Sequence, residues 1–268
     1  MVALPGLAVL LWGSLLLRPY VFGFLGLYLA AAVAEQGWRR TLAFTGLAGG
    51  LAFAAEFAST RIGVPFGLYH YTGVTRGQEL YLANVPFFDP LSFTFLAYAS
   101  LGVARLVLGG GRARGWPGRL AVATTSGLLM MWLDVVIDPL AVRGDRWFLG
   151  RIFYYPEPGW YFGVPVANFV GWAVLGALIV AVWLAVEPRL GGRPPGWAAR
   201  VPGRRYAPVG VYYLVLAFNL ALTGLVAEAS LFWAGLAVHL PVAAVVVSCL
   251  ASSSSSMSDR TPCAGEPA

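Results

Sequence analysis

The 268-residue chain contains no lysine; all 18 of its basic residues are arginine. A retinal Schiff base, lysine-based covalent catalysis and a Walker-type phosphate lysine are therefore excluded. Histidine is almost as scarce, with His70 and His239 alone, too few for a His-box iron site that activates oxygen. The two cysteines, Cys249 and Cys263, sit at the end of the last apolar run and in the tail, and supply neither a disulfide framework nor a metal cluster. Charge is thin as well: charged residues are 11% of the chain, against about 25% in soluble domains. That is too little to coat a soluble particle of this size.

What remains is apolar. Hydrophobic residues make up 59% of the sequence and the mean hydropathy is +0.72. A membrane span needs about 20 mostly apolar residues. Runs of that kind occur at 2–17, 20–36, 41–58, 86–108, 118–138, 163–186, 207–228 and 230–250. They predict an all-α, polytopic integral membrane bundle of about 7–8 transmembrane helices. The first two runs are short and broken by Arg18-Pro19, which fits a hairpin, two tilted spans or one kinked element. No basic segment precedes the first run and no small-residue cleavage site follows it, so it reads as an anchor. Residues 251–268 are Ser- and Pro-containing and are expected to be a disordered tail on a 1–250 membrane domain.

Arginine placement sets the expected orientation. Arg39, Arg40, Arg112, Arg114, Arg119, Arg189, Arg193, Arg200, Arg204 and Arg205 fall in alternate loops, and the intervening loops carry Arg18, Arg61, Arg76, Arg143, Arg146 and Arg151. The richer set is expected to face the cytoplasm, with both chain ends on that side. The +6 net charge is explained by this topology, so no nucleic-acid partner is expected. In either orientation the loops at 59–85 and 139–162 share one face.

Most of the chemistry lies at that level. Glu56 closes the third run, Asp89 opens the fourth, and Asp134 and Asp138 close the fifth. Each acid costs roughly 2.5–3.5 kcal/mol to insert, so such residues usually face a cavity or a partner. Asp134 and Asp138 are four apart and share a helix face. Two carboxyls this close in a poorly solvated site cannot both ionise easily, which leaves a neutral acid able to protonate a substrate. The same spacing also suits magnesium held for a diphosphate. Both loops are rich in glycine, proline and aromatics, including Phe66, Tyr69 and Tyr71 in the first and Trp147 and Tyr161 in the second. Arg61 is placed to pair with Glu56 or with an aspartate of the fifth run. Asn168 and Trp172 follow within the first turns of the sixth run, where Asn168 can hold a water. His70, His239, Asn219 and Glu228 are expected in turns, helix packing or interfaces.

Taken together, three segments resemble a known family. They are Glu56 with Thr60-Arg61-x-Gly63-x-Pro65-Phe66-Gly67-x-Tyr69-x-Tyr71; Asp134-x-x-x-Asp138-Pro139; and Gly159-x-Tyr161-x-Gly163-Val164-Pro165-x-x-Asn168-x-x-Gly171-Trp172. Over roughly residues 50–186 they resemble the membrane carotenoid hydratases, also called carotenoid 1′-hydroxylases. The resemblance implies a multi-pass protein of a bacterial plasma membrane that adds water to the ψ end group of lycopene, γ-carotene or a related carotenoid. It implies no cofactor and no metal, with carotenoid, water and membrane lipid as partners. Asp134 and Asp138 would share the acid proton, while Glu56 and Asn168 would handle the water. Arg61, Phe66, Tyr69, Tyr71, Asp89, Trp147, Tyr161 and Trp172 would line or tune the end-group pocket. Two alternatives stand beside this reading: an aspartate-rich polyprenyl transferase, and a transporter or carotenoid-binding scaffold without catalysis.

Overall fold

The computed structural model describes residues 5–109, 115–226 and 228–258, with side chains to residue 252. Arg112, Arg114 and Cys263 lie outside the described residues. The apolar runs become eight helices: α1 (Leu7–Leu17), α2 (Pro19–Gln36), α3 (Trp38–Ile62), α4 (Phe88–Val107), α5 (Gly115–Ala141), α6 (Val166–Val186), α7 (Ala207–Leu225) and α8 (Ala229–Ser258). Each of α3 to α8 is long and apolar enough to cross a membrane, whereas α1 and α2 qualify only as a pair. Helix α8 continues past the expected domain boundary at 250, and residues 259–268 lie outside the described residues.

Helix α1 has 11 residues. At 1.5 Å per residue it covers about 16 Å, roughly half the hydrocarbon core, so it cannot cross by itself. It meets α2 at 94°, with Pro19 opening α2 and Arg18 at the elbow. The Arg18-Pro19 break is thus one sharply kinked element. Ser14 Oγ accepts the Leu80 N–H at 3.0 Å, and Arg18 pairs with Glu79 at 2.8 Å. These bonds keep α1 beside the loop that follows α3.

Four two-residue strands tie the loops together: β1 (His70–Tyr71), β2 (Tyr81–Leu82), β3 (Val85–Pro86) and β4 (Phe153–Tyr154). β2 and β3 form a hairpin, with Leu82 opposite Val85. β1 pairs antiparallel with β4, His70 opposite Tyr154 and Tyr71 opposite Phe153. The Thr72 N–H adds a bond to the Ile152 carbonyl at 2.8 Å. The two loops that topology puts on one face are thus joined through their backbones. Glu228, between α7 and α8, closes the same face by binding Arg143 at 2.9 Å and also Arg146. At the opposite end, Arg105 meets Glu187 at 2.8 Å and Tyr98 donates to Glu35 at 2.6 Å.

The most extensive helix pair is α5 with α6. Their contact depends on small residues, because a side chain at Gly127 would stand 2.2 Å from the Ala173 carbonyl oxygen and 2.7 Å from the Ala177 nitrogen. Neither backbone atom can move independently of α6, so the helices must separate to admit any Cβ. Asp134 follows two turns later on the same face of α5. Gly127→Val is expected to destabilise the protein by about 1–3 kcal/mol. It should also pull Asp134 away from α6; thermal unfolding in detergent, with product formation measured in parallel, checks both effects.

Candidate active site

Three of the four acids converge on one cavity, and the fourth, Asp134, stands behind them. Asp138 on α5, Glu56 on α3, Asp89 on α4 and Asn168 on α6 all line one cavity of about 110 Å³. Roughly 10–15 Å³ of such space holds a water, so several waters or a branched hydrocarbon tip would fit. The rest of the wall is largely aromatic. Phe93 and Trp172 stack at 4.4 Å, and Phe66 lies 5.9 Å from Phe93. Gly171 makes this possible, since a Cβ there would strike Phe66 Cδ1 at 2.6 Å and the Pro65 oxygen at 2.8 Å. The loop after α3 thus rests on bare α6 backbone, delivering Phe66 to the cavity.

The acids form two groups. In the first, Asn168 Nδ2 donates to Asp134 Oδ2 at 2.6 Å and to Asp138 Oδ2 at 2.7 Å. One amide nitrogen has two protons, so this yoke uses both and leaves the Asn168 oxygen free to accept. Asp134 is fully buried, and its Oδ1 has no protein donor. Asp138 is its immediate neighbour, so a proton held between the two carboxyls would satisfy that oxygen. In the second group, the Tyr71 hydroxyl sits 2.5 Å from Asp89 Oδ2 and 3.1 Å from Glu56 Oε2. Burial, and then the charges of Asp89 and Glu56, hold the Tyr71 phenol well above its ordinary range. Burial together with Asp138 and Asp134 does the same for Tyr155. Both phenols therefore remain protonated donors at neutral pH. Among the described residues no arginine forms an ion pair with any of these four acids.

Residues 17–247 match the family model described as carotenoid biosynthesis protein. The chain belongs to the carotenoid biosynthesis protein family. It is similar to the bisanhydrobacterioruberin hydratase of Haloarcula japonica, with 31% identity over 131 residues, 49% of this chain and 40% of that protein. The chain thus spans well under two thirds of that curated relative. No solved structure matches.

In this chain, Phe66, Tyr69, Tyr71, Asp89, Trp147 and Trp172 line the cavity with Glu56, Asp138 and Asn168. Asp134 lies one layer behind, reached through Asn168. Two residues depart from expectation. Arg61 is exposed and pairs with no acid; it donates to Asn84 Oδ1 and to the Phe57 carbonyl, both at 2.8 Å, and covers the Phe57 ring. It lies at the last turn of α3, pointing away from the face that carries Glu56. Tyr161 does not line the cavity, and its ring packs edge-on against Phe162 and Phe169. Other wall residues carry no signal in the sequence: Tyr20 and Phe24 from α2, Phe88, Phe93 and Phe95 from α4, and Phe218 from α7. Tyr155 of the second aromatic loop also lines the wall, as does Asn219, a residue expected in helix packing. In an apolar run, aromatics that face a cavity look the same as those that face lipid. His239 instead serves packing, binding the Trp132 carbonyl through Nε2 at 2.9 Å.

Proposed function

We propose that the protein is a carotenoid hydratase that adds water across the terminal C1=C2 bond of a ψ end group, giving a tertiary alcohol. The observation that carries this reading is the yoked carboxyl pair, of which Asp138 opens onto a cavity that is largely aromatic apart from Glu56, Asp89 and Asn168 and that, among the described residues, no arginine lines. Such a site favours a neutral carboxylic acid, which is what protonation of an unactivated alkene requires.

Asp138 faces the cavity and gives its proton to C2; Asp134 supports it from behind. The positive charge then develops at C1, where each ring face of Phe66, Phe93 or Trp172 offers about 0.5–2 kcal/mol of stabilisation. Glu56 takes a proton from the water that attacks C1, and the free Asn168 oxygen helps orient that water. Proton and hydroxide equivalents balance to one H2O, and no electrons are exchanged. A polyene partitions into hydrocarbon, so a cavity near one end of the bundle lets the tip meet water while the remainder stays in lipid. Lycopene and γ-carotene carry the required end group, and a bacterial plasma membrane is the setting proposed.

The test is expression in a host that makes lycopene or γ-carotene. Pigment mass is expected to rise by one water per modified end, with the oxygen drawn from isotope-labelled water. Label arriving from oxygen gas, or unmodified pigment in cells with the protein inserted, would overturn the reading.

A further inference from the structure

Tyr71 has one hydroxyl proton and two carboxylate neighbours. Its oxygen lies 2.5 Å from Asp89 Oδ2 and 3.1 Å from Glu56 Oε2, with the Tyr69 hydroxyl at 3.4 Å. A single O–H satisfies a single acceptor, so both short contacts are hydrogen bonds only if one carboxyl donates its own proton to the Tyr71 oxygen. The trio then has two equivalent arrangements. In one, Glu56 carries the extra proton and Tyr71 donates to Asp89. In the other, Asp89 carries it and Tyr71 donates to Glu56. Moving two protons along the chain interconverts them without forming a tyrosinate.

Three separate elements hold this geometry. Glu56 sits near the end of α3, Asp89 in the first turn of α4, and Tyr71 on β1, pinned opposite Phe153 of β4. The charged groups that act on the trio are Asp138 across the cavity and the buried Arg18–Glu79 pair. Neither arginine nor histidine hydrogen-bonds Tyr71, Glu56 or Asp89 among the described residues.

In a hydratase working as proposed, each turnover ends with a proton misplaced. Asp138 has lost one to carbon, and Glu56 has gained one from water. We infer that Tyr71 is the relay that returns it, a role that rests on the hydratase reading. At rest Asp89 holds the extra proton and Tyr71 donates to Glu56; once Asp89 has given that proton up, Glu56 passes the one taken from water to the Tyr71 oxygen as Tyr71 passes its own to Asp89. Asp89 and Asp138 line the same cavity, so the proton completes the circuit through a cavity water. The circulating proton is neither gained nor lost, and the net reaction remains addition of H2O.

The test compares wild type, Tyr71→Phe and Asp89→Asn, each purified and reconstituted in lipid nanodiscs with an acyclic carotenoid. Rapid-quench sampling separates the first turnover from the steady state. A relay acts only on reset, so both variants are expected to keep the first turnover and to lose kcat by about 10²-fold, with KM falling alongside it so that kcat/KM is retained. Protonation of C2 should give a solvent deuterium effect in the first turnover of all three proteins, and in the two variants a separate effect should appear in the steady state, where reset limits the rate. Wild-type steady-state rates in Tyr71→Phe overturn the relay. So does a first turnover that falls as far as the steady state, which would mark Tyr71 as a shaping residue. A wild type that forms no hydrated product overturns the hydratase reading and the relay with it.

Discussion

Asp138→Asn is expected to abolish water addition, lowering the rate by about 10²–10⁴-fold, while the protein still inserts and folds. The amide keeps the shape of the carboxyl and can still accept from Asn168, so the α5–α6 contact survives. What disappears is the acidic proton at the cavity wall. Asp134→Asn should lie between this variant and wild type, because Asp134 does not line the cavity and acts through its neighbour. Pigment analysis of the two variants side by side, with membrane yield as a control, decides the matter. Normal product from Asp138→Asn would remove the acid from the mechanism.

The second large effect is on stability. Arg18→Met is expected to cost about 3–5 kcal/mol, because it strands a buried carboxylate. Arg18 is 1% exposed and meets Glu79 with two nitrogens, at 2.8 and 3.2 Å. A third nitrogen donates to the Leu149 carbonyl at 2.6 Å, and the guanidinium lies 4.7 Å from the centre of the Phe88 ring. One side chain therefore fastens the α1–α2 elbow, the loop after α3, the loop after α5 and the start of α4. Replacing both partners, with Arg18→Met and Glu79→Leu together, should recover much of the loss, since no unpaired charge then remains. Thermal unfolding in detergent checks both variants; an unfolding temperature unchanged in Arg18→Met would show that the pair contributes little.

The fold is legible in the sequence because each helix is an apolar run and its interruptions are polar. The acids are legible for the converse reason: Glu56, Asp89, Asp134 and Asp138 stand out at the ends of those runs. Asn168 can be placed beside them because it falls in the first turn after Pro165. Glu79 cannot be singled out, since an acid in a loop looks solvated until its partner is known. Arg61 misleads for a related reason. Sequence proximity to Glu56 suggests an ion pair, but five residues along a helix turn the side chain away from the acid and towards Asn84. Tyr71 looks like one ring among many, because a phenol that bridges two carboxylates carries no local signature. The walls from α2 and α7 are hidden in the same way, by aromatics that equally suit lipid.

The pairing of β1 with β4 has a further consequence. By stitching the two loops together it fixes Tyr71 and Phe153, both of which line the cavity, against each other. Under the proposed hydratase reading, an extended polyene, far longer than a chamber of about 110 Å³, would enter tip first, its body left among the acyl chains. A symmetric substrate of that kind would then back out and reverse before its other tip is treated, and the half-finished species would be a free molecule that a competing catalyst could intercept.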